Sequence, residues 1–270
     1  MSATQPLRRI ARRAGIRRST VAAARMCCER VVLTYAGRRN EGPRPRILCY
    51  HSVGTPSWGV NDVSPARFRR QIERALDAGY RFVPAAELAR PGVPADAPLL
   101  AVTFDDGLRS VLDHAAPVLR AYGIPWTIFV VSDWASGRHR FGEGTLLDWR
   151  DLERVAAAGG SIGSHSVTHP DFARLEPGPA ADELARSREA IRDHLGLNVT
   201  EFAIPFGQSA NWTPAAQQAA FDAGYTTVYA QSEERRPAGT VARTFITRFD
   251  GDRIFDAALA GAYDRWEEWV

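Results

Sequence analysis

The chain reads as an α/β protein whose parallel strands close, or nearly close, into a single (β/α) barrel, with a basic helical leader in front of it. Three observations carry that reading. From Pro45 onward, short apolar runs alternate with segments of helical spacing, the pattern of βα units wound around a parallel sheet. Several runs stop on polar or special residues, at His51, at Asp105-Asp106-Gly107, at His165 and at Pro205-Phe206-Gly207. Barrels build their active sites at the C-terminal ends of several strands, so these stops should converge. The length of 270 residues, with 45% hydrophobic and 24% charged, suits one such domain with a sizeable core.

Taken in order, an apolar run at 47–50 precedes a helix at about 65–79, where Phe68, Ile72 and Leu76 recur every four residues and Gly79 ends the pattern. A strand over 99–104 leads to a helix near 110–122, one over 126–131 to a helix at 151–158, and one over 161–164 to a helix at 182–195. Two further runs, 202–204 and 226–229, flank a helix near 214–223, and a run at 245–249 precedes a last helix at 253–266. No repeat or low-complexity linker interrupts the series, so one domain is expected over residues 46–270.

Residues 1–45 form the leader. All 34 basic residues of the protein are arginine; residues 1–46 hold 12 of them against 2 Glu, while the remainder carries 22 Arg against 29 Asp and Glu. The overall charge of +3 therefore hides a leader of +10 on a body of −7. Arg8-Arg9, Arg12-Arg13 and Arg17-Arg18 open it, and Val21-Ala22-Ala23-Ala24 and Val31-Val32-Leu33 follow before Gly37, which reads as a basic, partly helical segment with frayed ends. Arg25, Glu29 and Arg30 break any secretory apolar stretch, and no window approaches the roughly 18 apolar residues of a membrane span. The leader is thus either a solvated tail or a peripheral attachment to an anionic membrane surface or a partner protein, with nucleic acid not the expected partner. A cytoplasmic or peripheral-membrane location follows, export staying open. Three cysteines, two of them adjacent (Cys27, Cys28), make neither a disulfide framework nor a Cys-x-x-Cys zinc site.

The chemistry concentrates at the strand ends. Asp-Asp-Gly alone is common turn chemistry, yet two carboxylates at the end of a very apolar strand need a cation or donors. His165 and His169 stand at i, i+4, and one helical turn after the strand would bring both imidazoles to one face. Ser166 occupies the place where a zincin needs Glu, so that protease motif is absent. Two histidines and one carboxylate leave open positions on a zinc-like ion, and the second carboxylate then serves as base. In that arrangement Asp106, His165 and His169 hold the ion and Asp105 takes the proton of the attacking water.

At these residues the sequence resembles the polysaccharide deacetylases, the NodB-homology group of carbohydrate esterase family four. Thr103-Phe104-Asp105-Asp106-Gly107 is similar to the family's first motif, Ser164-His165-Ser166-Val167-Thr168-His169-Pro170 to its second, and Phe202-Ala203-Ile204-Pro205-Phe206-Gly207 to its third. Trp149 and Gly159-Gly160-Ser161-Ile162-Gly163 fit the helix and strand that lead into the second motif, and the resemblance covers roughly residues 46–250. It implies a distorted (β/α) barrel that removes N-acetyl or O-acetyl groups from an amino sugar, oligosaccharide or cell-surface polysaccharide with a divalent ion, usually Zn2+. By the same resemblance Asp105 is the base and Asp106, His165 and His169 are ligands. The Phe206 backbone N–H, between Pro205 and Gly207, would help hold the oxyanion where the family usually has Tyr.

Two departures matter. Ala203 replaces the third-motif arginine that positions the base, and Arg248 is the candidate substitute. No histidine follows His194, so the family's late Leu-x-His acid is missing. A closed barrel sets its first and last strands side by side, so His51 is expected to supply the acid from the N-terminal side. His114, His139 and His194 are expected to be structural or superficial. Among Trp58, Trp134, Trp149 and Trp212, Trp212 has the best chance of stacking on a sugar. The rival readings are the same scaffold acting on another non-peptide C–N bond, such as a cyclic imide or ureide, and a catalytically inactive carbohydrate-binding relative.

Overall fold

In the computed structural model the described residues are 18–266. The arginines at 8, 9, 12, 13 and 17 lie outside them. The leader's described part is one helix, α1 (Arg18–Ala36). It does not trail into solvent: Met26, Arg30 and Thr34, spaced four apart, are buried, Arg30 against Asp250 and Tyr263 and Thr34 against Tyr263.

Strand β1 (Arg46–Tyr50) starts the domain, and a small pair, β2 (Ser52–Val53) with β3 (Asp62–Val63), folds over its C-terminal end. Helix α2 (Pro65–Asp77) starts as sequence rules require, with Ser64 accepting from the Arg67 N–H and Pro at its first position, and it buries Phe68, Ile72 and Ala75. Then come β4 (Arg81–Phe82), the single turn α3 (Ala85–Leu88) and β5 (Leu99–Phe104). The helix expected at 110–122 is composite, a π-type turn over Val111–Ala115 running into α4 (Ala116–Ala121), because Pro117 removes an N–H from the helical ladder. Next are β6 (Trp126–Val130), α5 (Ser132–Ala135) and α6 (Trp149–Ala157), the last opened by a reciprocal Asp148–Asp151 capping box. The chain continues through β7 (Gly160–Ser164), α7 (Pro177–Leu195), β8 (Glu201–Ala203), α8 (Pro214–Asp222), β9 (Thr227–Tyr229), β10 (Thr244–Phe245) and α9 (Asp252–Leu259). The run expected at 245–249 is strand only at its start, and the last helix stops at Leu259 rather than 266.

Every pairing of the main sheet is parallel, in the order β10-β1-β5-β6-β7-β8-β9, with β4 splitting off at the start of β5. The sheet curls until its ends approach. Val241 bridges to Tyr229 on β9, and three residues later the same segment pairs with β1 through Thr244 and Phe245. Residues 241–245 therefore span the seam of a distorted barrel. Its interior is lined by Ile47, Ala101, Phe129, Ala203 and Tyr229, while the alternate residues Leu48, Tyr50, Val102, Phe104, Ile128 and Phe202, all fully buried, pack outward beneath the helices. Because all strands run one way, their carboxyl ends share one rim, and the motif residues follow directly from it.

Candidate active site

Asp105 leaves β5 with its N–H still donating to the Tyr50 carbonyl oxygen, and Asp106 and Gly107 then adopt left-handed backbone with φ of 73° and 72°. That turn aims the two carboxylates differently. Asp105 points to the seam, where Arg243 Nη1 and Nη2 donate to its Oδ1 and Oδ2 at 2.7 and 2.8 Å, a bidentate pair with both partners buried. Arg243 also reaches Thr103 Oγ1 at 3.3 Å and the Ala230 carbonyl oxygen at 3.2 Å. Burial alone would push the Asp105 carboxyl up, but the Arg243 guanidinium outweighs it and holds the group well below the usual carboxylate range. Asp105 is therefore a carboxylate at any working pH.

Asp106 turns toward two imidazoles. Its Oδ1 lies 3.6 Å from His165 Nε2 and 3.5 Å from His169 Nε2. Those distances are too long for good hydrogen bonds, and Oδ1 is a buried acceptor with no hydrogen-bond partner among the described residues. Burial, reinforced by the Asp105 charge and opposed by His51 and Arg243, pushes Asp106 up to about 6. Burial pushes His165 down to about 3 and lowers His169 as well, so both rings are neutral near pH 7. The His165 Nδ1–H donates to the Ala203 carbonyl oxygen at 2.8 Å, which leaves the Nε2 lone pair facing Asp106. Three acceptors thus face one another, their ligand atoms all within 4.8 Å. Such a set repels itself unless a cation sits among it, and a divalent ion fits the N, N, O donors.

The route from His165 to His169 is not the expected helical turn. Ser166 and His169 are both left-handed, at φ of 71° and 62°. The loop is held from outside by Glu183 on α7, whose carboxylate accepts from the N–H groups of Val167 and Thr168 at 2.9 Å and from Thr168 Oγ1 at 2.8 Å. Ser166 Oγ accepts from the His169 N–H at 2.9 Å. His169 is then sandwiched, stacked on Trp134 at 5.4 Å and met edge-on by Phe206 at 4.7 Å.

Phe206, at φ 64°, completes a group: Asp106, Ser166, His169 and Phe206 are the four non-glycine residues with positive φ among the described residues, and all belong to the three motif loops. Local backbone strain of this kind persists where surrounding structure over-determines it, commonly at functional sites. Pro205 and Gly207 are buried beside Phe206, which is half exposed. Gly207 is obligatory at φ 69°, since a Cβ there would stand 2.3 Å from Gln231 Cβ.

His51 follows β1 and packs edge-on against Phe245 of the neighbouring β10 at 5.5 Å. It is buried; its Nε2 lies 3.4 Å from Gln231 Nε2, and its Nδ1 has no hydrogen-bond partner among the described residues. Asp62, at the start of β3, accepts instead from Ser52 Oγ and the Thr55 N–H at 2.7 Å each.

Two expected positions need correction. Arg248 is exposed, with its guanidinium 6.0 Å from the Phe249 ring, and the arginine on Asp105 is Arg243, which faces into the barrel from the closing segment. The signal for it was an arginine set among apolar residues in Val241-Ala242-Arg243-Thr244-Phe245. Trp212 is core, 5% exposed, its indole N–H on Gln217 and its ring against Phe172 and Phe202. Trp149 is likewise held away, stacked on His194 and bonded to Ser136. The aromatic wall of the site is instead Trp134, Phe141 and Trp58, linked at 5.0 and 5.2 Å and leading outward from His169. Glu183 had no sequence signal, being an ordinary acid on a helix surface.

Fold and site together define a parallel barrel that carries, at the carboxyl rim of its strands, an Asp-His-His cluster suited to a divalent ion beside an ionised carboxylate. The family model for polysaccharide deacetylases matches residues 92–228, half the chain, and the protein belongs to that family. YxkH of Bacillus subtilis (strain 168) is 28% identical over 186 residues, covering 67% of this chain and 63% of its own length. A chitooligosaccharide deacetylase of Bradyrhizobium sp. (strain ANU 289) is 31% identical over 96 residues, 34% of this chain and 37% of its own. The chain thus spans less than two thirds of these relatives. Among solved structures, IcaB from Ammonifex degensii superposes with a TM-score of 0.67 at 29% identity over 83% of this chain and 99% of that one. The deacetylase PplD of Streptococcus pyogenes, solved with acetate, shares the fold at TM-score 0.65 and 23% identity over 76% of this chain and 94% of that one.

Proposed function

We propose that the protein is a divalent-metal-dependent N-deacetylase acting on amino-sugar units of an oligosaccharide or polysaccharide. The observation that carries this reading is the convergence of Asp106, His165 and His169 next to an Asp105 held ionised by Arg243. Asp106, His165 and His169 hold the ion, for which zinc is the choice that suits two imidazoles and a carboxylate. When bound, the ion supplies Lewis-acid polarisation of the acetyl carbonyl and lowers the pKa of water.

The protein's own groups do the rest. Asp105, oriented by two hydrogen bonds from Arg243, accepts the proton of the attacking water. The Phe206 backbone N–H, in the strained third loop, donates to the oxygen where negative charge develops. His51, with no carboxylate of its own, passes a proton to the departing amine nitrogen. The wall of Trp134, Phe141 and Trp58 seats sugar rings, and exposed Phe206 and Phe141 leave the mouth open as a polymer requires. An enclosed pocket for a cyclic imide or ureide would not leave them so.

The test is acetate release from N-acetylglucosamine oligomers and acetylated polysaccharide by chelator-stripped protein before and after zinc addition, with Asp105→Asn as control. Zinc-dependent release lost in the variant is the expected result. Bound metal without release from any acetylated sugar would overturn the substrate assignment.

A further inference from the structure

Helix α1 is anchored on one side and uncovered on the other. On its inner face Arg30, 1% exposed, donates to Asp250 Oδ2 at 3.0 Å and to the Phe245 carbonyl oxygen at 2.7 Å, with its guanidinium 4.6 Å from the Tyr263 ring centroid and 5.0 Å from that of Trp266. Thr34 and the Tyr263 hydroxyl share a 2.7 Å hydrogen bond. The outer face carries Val21, Val31, Val32 and Tyr35 at 50, 44, 61 and 73% exposure. These are four of the nine large hydrophobic side chains exposed among the described residues, so the molecule's uncovered apolar surface concentrates on this one helix.

Charge selects the occupant of that face. Arginine pairs at 8-9 and 12-13 precede the helix in sequence and a third, 17-18, leads into it, interleaved with Leu7, Ile10 and Ile16, and an exposed pair, Arg38-Arg39, follows it. Through residue 46 the net charge is +10. A second copy of the chain would bring the same charge against it, whereas an anionic lipid surface offers both the apolar layer and the countercharge. No helix of the described residues is long and apolar enough to cross a membrane, so an attachment through α1 would be interfacial.

We propose that the outer face of α1, with the flanking arginines, is a docking surface for an anionic lipid bilayer. Its inner face makes the attachment rigid. The Phe245 carbonyl oxygen accepts from Arg30 while the Phe245 ring stands 5.5 Å from His51, so one residue joins the lipid-facing helix to the rim of the site. Docking therefore fixes the attitude of the site to the lipid surface, and a glycan carried at that surface is the substrate it would meet.

The test uses the full chain in vesicle flotation, comparing phosphatidylcholine alone with phosphatidylcholine containing roughly one third phosphatidylglycerol, at about 0.1 M salt. Binding to the anionic vesicles only is expected. The paired substitution Val32→Glu and Tyr35→Glu, both exposed and remote from the site, should weaken it about tenfold, with melting temperature and metal content unchanged. Equal binding to neutral vesicles, or none to either, overturns the proposal. So does undiminished binding by the paired variant, which would leave the arginines as the whole attachment. A dimer in solution that the paired variant dissociates, without vesicle binding, would assign the face to a second copy instead.

Discussion

Arg243 clasps Asp105 through two parallel hydrogen bonds, of 2.7 and 2.8 Å, between side chains 138 positions apart and both shut away from water. The pair explains how a barrel with Ala203 in its third motif still orients this carboxylate, the proposed base: the guanidinium arrives from the closing segment rather than from β8. It also makes the Asp105 charge electrostatically dependent on one residue.

Replacing that arginine should therefore cost stability as well as turnover. Arg243→Met leaves a buried carboxylate unpaired, and unfolding free energy should fall by about 3–5 kcal/mol. Adding Asp105→Asn removes the orphaned charge and should restore most of the loss. Denaturant unfolding of the two variants at a common slope checks this. A double variant no more stable than Arg243→Met would show that packing, not charge, governs the site.

Glu183 is expected to act on metal affinity without touching the ion. Its carboxylate takes three donors from residues 167 and 168, immediately before His169. Glu183→Ala should loosen that loop and weaken zinc binding about 10–100-fold, with turnover recovering at saturating metal. Competition against a chromophoric chelator reads the affinity, and unchanged affinity would make Glu183 merely structural.

Metal uptake should turn pH-dependent just below neutrality. Asp106 binds an ion only as carboxylate, and in the metal-free protein its pKa is pushed up to about 6. Protonation therefore competes as pH falls through that value, and affinity should drop about tenfold per pH unit below it. His165, pushed down to about 3 by burial, adds no competition in that range, and burial lowers His169 from its usual value as well. Titrations between pH 4.5 and 7.5 locate the break; one near the usual histidine value would transfer the effect to His169.

His51→Ala should lower kcat by about 10²–10⁴-fold, the span of a lost general acid or base. Metal content at saturating zinc should hold, because His51 is not in the ligand cluster. Near-normal turnover would remove it from the reaction.

The aromatic wall should show itself in chain-length dependence. Trp58 stands at the end of the wall farthest along from His169, packed on Phe141. Trp58→Ala should raise KM about tenfold for long oligomers while leaving the shortest substrate and kcat little changed. A uniform effect at every length would place no sugar there.

Much of this molecule was legible before any coordinates. Apolar runs such as 99–104 and 126–131 and the helical spacing of Phe68, Ile72 and Leu76 are local signals, since they express which side of an element is buried. The same holds for the motif residues: a charged or histidine stop after an apolar strand reports the rim of a parallel barrel, and His51, Asp105, Asp106, His165 and His169 all stand there. What the sequence could not decide was direction. Arg243 and Arg248 both lie near the last strand, and only closure of the sheet, with Val241 bridged to Tyr229 and Phe245 paired to Cys49, turns one into the barrel and leaves the other in solvent. Trp212 reads as a surface ring beside a motif until Phe172, brought from forty positions away, covers it. Glu183 becomes informative only when α7 lies against the His169 loop. Local pattern is set by neighbours in sequence, and partners are set by how the strands close; the identities of the groups came from the first, and the pairing that makes them a site from the second.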